Sequence, residues 1–250
     1  MFRALEIAAS GMAGQQFAMD TVANNLANAN TTGFKSGSAQ FEELVGQVDG
    51  GNYIGQGSRI AGSNRDASQG AIQTTGQPLD LAINGNGYFP LVDPSGKEVY
   101  SRAGAFHMDA DGRVVHQSGF LLAGNLSIPQ GASGLSIADD GTVSATVPGN
   151  SLPVALGKID LVGFANEQGL EAQGQSVFAT TDNSGPALRQ ENSALPLGLG
   201  SIQQGALEGS NVNMIDQMVS MINTQRAYET GAMVITAADE MLGYANNLRR

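Results

Sequence analysis

Along the first thirty residues, apolar and polar positions recur at helical spacing. Met1, Leu5, Ala8, Met12, Gln15, Met19, Val22, Leu26 and Ala29 follow a 4-3 rhythm, and all but Gln15 are apolar. The pattern predicts one helix over residues 2–29, about 40 Å long at about 1.5 Å per residue. Ala8, Ala9, Gly11, Ala13 and Gly14 keep one zone thin. Each glycine costs a lone helix about 1 kcal/mol against alanine, so something must pack there and compensate. Ala13 and Phe17 lie nearly opposite the stripe through Leu26, which calls for a second neighbour. The far end repeats the design. Residues 212–248 are predicted helical, with Ser210 or Asn211 as the cap and Asp216 near the positive end. Met214, Met218, Met221, Tyr228, Ala232, Ile235 and Leu242 share one 4-3 track, interrupted by Gln225 and Asp239. Ile215, Val219 and Ile222 add a second apolar edge.

Between the helices the period drops to two. Short alternating runs at 79–83, 88–92, 99–106, 159–164 and 177–180 predict strands. Gly85-Asn86-Gly87, Asp93-Pro94-Ser95-Gly96, Asp111-Gly112 and Asp140-Gly141 are turn signals. Residues 45–70 include GQVDGGNYIGQG and are expected to be loop or loosely ordered strand. The fold class is therefore mixed α and β: long terminal helices flanking a central all-β domain. The expected divisions are an N-terminal helix (1–35), a Gly-rich connecting segment (36–70), the β domain (71–205) and a C-terminal helix (206–250). Neither terminal seam is stable alone, because an isolated helix pays for nucleation without a partner. The two ends pair with each other or with copies of themselves.

Composition narrows the function. Hydrophobic residues make up 41% of the 250, enough to bury a core, while charged residues are only 14% and glycines number 34. The net charge is −11, and Arg249-Arg250 is the one basic pair, so a nucleic-acid partner is not expected and anionic membrane surfaces are disfavoured. There is no cysteine, hence no disulfide framework or thiolate chemistry. No apolar run is long enough to insert in a membrane. Residues 1–14 lack a basic region followed by a continuous apolar one, so export without a cleaved Sec leader is expected.

The candidate chemistry is thin. Asp109, Asp111 and Gly112 resemble part of a calcium loop, but position twelve counted from Asp109 is Phe120, so a hairpin turn is expected. His107 and His116 face each other across that hairpin if paired, without a third ligand at metal spacing. Gly85-Asn86-Gly87 would need a third glycine where Pro90 stands. Glu42-Glu43 and Asp139-Asp140 are adjacent in sequence, unlike the facing carboxyls of a glycosidase. There is no G-x-S-x-G. No catalytic residue, metal site or cofactor is expected.

Several segments carry a resemblance. ANNLANANTTGFK (23–35), LDLAINGNGYF (79–89), YSRAGAF (100–106), LVGFANEQGLEAQGQSVFATTDNSGPA (161–187), GALEGSNVNMIDQMVSMINTQRAYE (205–229) and TAADEML (236–242) resemble, in family order, the bacterial flagellar rod and hook proteins. The first 45 residues and TQRAYE are most similar to the distal-rod branch. A proximal-rod paralogue or a short hook-type protein is the alternative, since 45–70 is shorter than the matching stretch of many distal-rod proteins. The resemblance implies terminal helices paired as a coiled coil lining an axial tube, with the β domain outside. It implies a structural subunit, not an enzyme, that polymerises helically into the hollow shaft crossing the periplasm and carrying torque to the hook. The implied partners are copies of itself, other rod proteins, the hook protein, the ring proteins and the export apparatus. The implied location is the basal-body rod.

Seams and resemblance together nominate an assembly interface: Leu5, Met12, Phe17, Met19, Val22, Asn24, Leu26 and Asn28 on the first helix, and Met218, Val219, Ile222, Tyr228, Ile235 and Leu242 on the second. Asn24 and Asn28 share a face away from Leu26. They serve intersubunit or channel-facing hydrogen bonds, or else sit on a solvated, fraying end with Asn30 or Gly33 as the left-handed cap. The competing class is an enzyme acting on cell-wall glycan, for which Asp80, Asp109, Asp139, Asp140 and Asp160 would be the candidate acids.

Overall fold

The computed structural model describes residues 2–48, 52–124, 126–149, 152–189 and 198–247. In chain order these form α1 (Phe2–Ala27), β1 (Gly37–Val48), β2 (Asn52–Arg65), β3 (Ile72–Thr74), β4 (Leu81–Asn84), β5 (Phe89–Val92), β6 (Glu98–Ser101), β7 (Phe106–Met108), β8 (Val114–His116), β9 (Leu121–Leu122) and β10 (Ser133–Ile137). There follow β11 (Thr142–Thr146), β12 (Val154–Lys158), β13 (Val162–Gly163), β14 (Glu171–Gly174), β15 (Val177–Ala179), β16 (Leu188–Arg189), β17 (Ser201–Gln204), β18 (Ala206–Glu208) and α2 (Met214–Asn247). The chain divides into two compact units. The first comprises Met1–Ala29, Ser36–Asp66 and Val212–Arg250; the second comprises Asn30–Lys35 and Ala67–Asn211.

In the first unit α1 and α2 pack against each other. They run antiparallel: Asn25 Nδ2 donates to Gln217 Oε1 at 3.1 Å, while a Cβ built on Gly231 would lie 2.7 Å from Met12 Cγ. The predicted α1 stripe is half-buried along its described length, at Leu5, Ala8, Met12, Gln15, Met19, Val22, Leu26 and Ala29. The second face of α1 is covered by an antiparallel ribbon of β1 and β2, running from Gly37↔Arg65 to Val48↔Asn52. Of the glycine-rich stretch 45–70, expected to be loop or loosely ordered strand, residues 45–48 and 52–65 are paired strand. Gly57 serves a close approach: it has φ +100°, and a Cβ there would lie 2.3 Å from Ser10 Oγ of α1. The thin zone of α1 finds its compensation here, because Phe41 Cε1 lies 3.1 Å from the Cβ position of Gly14. At Gly11 no atom lies within 4 Å of that position.

The second unit is all β. A seven-stranded sheet, ordered β14-β15-β6-β5-β9-β8-β7, is accompanied by the three-stranded sheet β10-β11-β12 and the pairs β13-β16, β17-β4 and β18-β3. Its main core gathers Leu81, Ile83, Phe89, Leu91, Val99, Val143, Ile159 and Ile202. Strand β11 shows the period-two logic plainly, with Val143 and Ala145 buried between half-buried neighbours. A smaller aromatic cluster joins Tyr88, Tyr100, Phe164 and Phe178, in edge-to-face contacts such as Tyr100–Phe164 at 4.9 Å. The Asp111-Gly112 and Asp140-Gly141 signals close the β7–β8 and β10–β11 hairpins.

The predicted strand 99–106 is broken into β6 and β7. Gly104 passes so close to β4 that a Cβ would lie 1.7 Å from Leu81 O. The predicted run 159–164 pairs as a strand only at Val162 and Gly163, against β16.

Candidate functional site

Two places in the molecule carry function-bearing geometry. One is the helical pair of the first unit. Of the nominated interface residues, Leu5, Met12, Phe17, Met19, Val22, Leu26 and Asn28 are half-buried, as are Ile235 and Leu242 on α2, while Asn24 is exposed. Met218, Val219 and Ile222 each keep about half their surface in solvent, at 51%, 52% and 52%, and Tyr228 keeps 40%. The covered track of α2 runs through Gln217, Met221, Thr224, Gly231, Ile235 and Leu242, all half-buried, and the buried Ala238. The larger apolar side chains, with Ile215, Met233, Val234, Met241 and Tyr244, stay exposed. The more hydrophobic face of α2 is therefore the one its own chain leaves uncovered.

Asn24 and Asn28 bond to each other: Asn28 Nδ2 donates to Asn24 Oδ1 at 2.9 Å and to Asn24 O at 3.0 Å. Their neighbour Asn25 is the buried one. Its Nδ2 donates to Gly37 O (2.8 Å) and its Oδ1 accepts from Gly37 N (2.9 Å), while Gln217 completes the set. One amide thus ties α1, the start of β1 and α2 together. The available signal was its register: Gly14, Ala18, Thr21 and Asn25 fall at 4-3-4 spacing on a stripe of small residues.

The second place lies wholly within the second unit. Glu208, Lys35 and Arg102 are buried together, with Lys35 Nζ 2.8 Å and Arg102 Nε 2.6 Å from the Glu208 carboxylate. Burial pushes the Lys35 ammonium below its ordinary pKa, and the hydrogen bond and charge of Glu208 oppose that shift. Sequence reasoning did not nominate these three. Yet each lies in a segment that carried the resemblance: TTGFK, YSRAGAF and GALEGSN. Nearby, Ser176 Oγ donates to Thr32 O at 3.3 Å from a hairpin turn in which Gln175 and Ser176, neither a glycine, both have positive φ.

Of the carboxylates considered for glycan chemistry, Asp80, Asp109 and Asp140 are engaged elsewhere, while Asp160 keeps a buried Oδ1 without a hydrogen bond among the described residues, 3.8 Å from Lys158 Nζ. Asp109 accepts from the backbone of Asp111 and Arg113, and Asp140 from the backbone and hydroxyl of Thr142. Those bonds hold both carboxyls below the usual range, the opposite of what a general acid needs. Asp80 accepts from Thr75 Oγ1 at 2.6 Å. His116 pairs with Phe106, and His107 pairs with Val115, so the two imidazoles point to opposite faces of the β7–β8 hairpin. Among the described residues, no group of three or more His, Asp or Glu side chains is placed to hold a metal ion. No helix among them is long and apolar enough to cross a membrane.

An antiparallel helix pair with an uncovered apolar face, in one chain with a β unit, is the make-up of a structural subunit. The comparisons with known proteins supply the particular kind. Residues 5–35 match the family described as flagella basal body rod protein, residues 82–145 the flagellar hook protein FlgE/F/G D1 domain, and residues 203–248 the flagellar basal body rod FlgEFG protein C-terminal region. The chain is 39% identical over 268 residues to the flagellar basal-body rod protein FlgG of Borreliella burgdorferi, covering all of both chains. It is 38% identical to FlgG of Caulobacter vibrioides, with 99% of each covered, and 36% identical to FlgG of Bacillus subtilis, with 100% of each covered. The chain belongs to the flagellar basal-body rod protein family. It is a structural subunit of distal-rod type and not an enzyme.

Proposed function

We propose that this subunit polymerises helically with its own copies, forming the hollow shaft that crosses the periplasm and passes torque to the hook. The observation that supports this reading is the outward face of α2, where Ile215, Met218, Val219, Ile222, Met233 and Met241 stand half-exposed or more. Burying a large apolar side chain from full exposure is worth about 1.5–3 kcal/mol, and covering what these residues still expose returns about half of that each. In a helical stack every copy offers this face and every copy needs it hidden, so one interaction repeats along the shaft. Pairing of α1 with α2 as a coiled coil around the axial channel fits the 4-3 stripe of α1. The nominated residues of both helices form the interface: the half-buried apolar ones of α1, with Ile235 and Leu242 of α2, hold the helix pair in register, and Met218, Val219, Ile222 and Tyr228, with Asn24 and Asn28, make the contacts between copies. Other rod proteins and the hook protein adjoin the ends of the stack. The ring proteins surround it, and the flagellar export apparatus delivers the chain.

The test is a pair of substitutions on the uncovered face, Met218→Asp and Ile222→Asp, in the full chain. Both should abolish incorporation into isolated basal bodies while leaving the circular dichroism and melting of the dilute protein unchanged. Normal incorporation of both variants would remove the reading, and so would absence of the unaltered chain from the rod.

A further inference from the structure

The chain passes between its two units four times, at 29/30, 35/36, 66/67 and 211/212. On the second unit's side, the segments next to these crossings are 30–35, 67–70 and 206–211. All three meet at one side chain. Glu208 Oε1 accepts from Lys35 Nζ (2.8 Å) and from the Gly70 N–H (2.9 Å). Its Oε2 accepts from Arg102 Nε at 2.6 Å. Its backbone carbonyl accepts from the Gly33 N–H at 2.9 Å. Lys35 also donates to Ser68 O at 2.6 Å, and Asn211 Nδ2 donates to the same carbonyl at 3.2 Å.

This cluster is an expensive way to hold a fold. Two cations and one anion are buried, and desolvating them costs about as much as their attraction returns, so an apolar cluster of similar volume would serve stability as well. What the charges add is directionality. Arg102 spends its remaining donors on the carbonyls of Ile83, Gly85 and Gly87, which fixes where its fork can point. The glycines remove slack. A Cβ on Gly33 would lie 2.5 Å from Ala103 N, and one on Gly70 would lie 2.1 Å from Gly209 O. The segments cannot slide past one another without breaking charged hydrogen bonds.

We infer that Glu208, with Lys35 and Arg102, is a clasp that fastens to the β unit the three segments leading to α1, the β1–β2 ribbon and α2, so that force carried by those elements enters the β unit at one point. The clasp's role under load rests on the proposed rod function, whereas its fastening role does not. Buried as they are, these residues are positioning residues for torque transfer.

The experiment compares the full chain with Lys35→Met and Glu208→Gln by hydrogen exchange and by motility. In dilute solution, Lys35→Met should raise exchange in 31–35 and 67–71 about tenfold, the effect of losing one hydrogen bond to a charged group. Glu208→Gln should extend the rise to 205–210. In both, the β5–β6 hairpin should exchange as in the unaltered chain. Unchanged exchange in all three segments, or an equal rise in β5–β6, would overturn the clasp, the latter because the cluster would then be ordinary core. In cells, Lys35→Met should build rods and swim normally in dilute medium but lose speed severalfold more than the unaltered strain in viscous medium. An equal response to viscosity would remove the load-carrying role. If the unaltered chain were missing from basal bodies, the rod reading would fail and the exchange result would stand by itself.

Discussion

His116 has none of its surface in solvent. The Ser118 N–H donates to its Nδ1 at 3.2 Å, which assigns the ring proton to Nε2. Burial away from water pushes its pKa from the ordinary 6.5 down to about 4. An unfolded chain takes up the proton near 6.5, and the native one refuses it until about 4, so between those values the unfolded state binds more protons. The contribution of His116 to stability is therefore complete above pH about 6.5. It declines as the pH falls to about 4, by about 1.4 kcal/mol per pH unit. Melting curves of the chain and of His116→Gln across pH 4–7 check this; the variant should lack that part of the slope. Asn25→Ala should cost about 1–3 kcal/mol by leaving the Gly37 backbone groups unpaired, read as loss of exchange protection at the start of β1. Asn25 had its register among small residues to mark it, whereas Lys35, Arg102 and Glu208 were illegible as site residues for a common reason. A polar side chain in one sequence gives no sign of burial, and the partners of Glu208 lie 106 and 173 residues away. His116 stood out in the sequence, but its setting between two serines depends on strand register.

At the level of elements, α1 was legible almost to the residue, because its 4-3 stripe is apolar at nearly every step. The track of α2 that faces α1 was less so. It alternates Gln217, Thr224, Gly231 and Ala238 with Met221, Ile235 and Leu242, while Met218 and Ile222 on the neighbouring track are more hydrophobic and point away. Hydrophobicity marks the faces to be covered without saying by which chain. The β1–β2 ribbon was hidden by its glycines, which argue for turns wherever no helix is known to lie alongside. Gly57 turns that explanation into a test. Alanine there must adopt φ +100° and place Cβ 2.3 Å from Ser10 Oγ. Gly57→Ala should destabilise the first unit by about 1–3 kcal/mol through the combined backbone strain and clash. Adding Ser10→Ala should recover the part due to the clash and leave the part due to the backbone. A full recovery would mean that the backbone at 57 carries no strain, and no recovery would mean that the ribbon does not lie against α1 at Ser10.

The whole molecule is unevenly provided with core. Among the described residues, the fully buried hydrophobic side chains belong to the second unit, with Ala238 of α2 the exception. The first unit holds its two helices and ribbon together through half-buried seams, the Asn25 bridge and close contacts at Gly14, Gly57 and Gly231. Burial of apolar area is the main favourable term in folding, at about 25 cal/mol per Å². The first unit should therefore be the weaker of the two while the chain is alone. Unfolding of the dilute chain should then proceed in two steps. The helical signal near 222 nm should fall first, and the environment of the aromatic cluster around Tyr88 and Tyr100 should change later. Limited proteolysis should cut in 2–29, 36–66 and 212–247 and leave a resistant fragment near 67–211. Raising the protein concentration until shafts form should merge the two steps, because neighbouring copies supply the cover that the first unit lacks. A single transition for the dilute chain, equal by both signals, would show that the first unit already has all the burial it needs. The uncovered face of α2 would then be no reservoir for assembly. The outcome matters for function, since a subunit whose helices are weak alone and strong in company stays single until it reaches the growing end of the shaft.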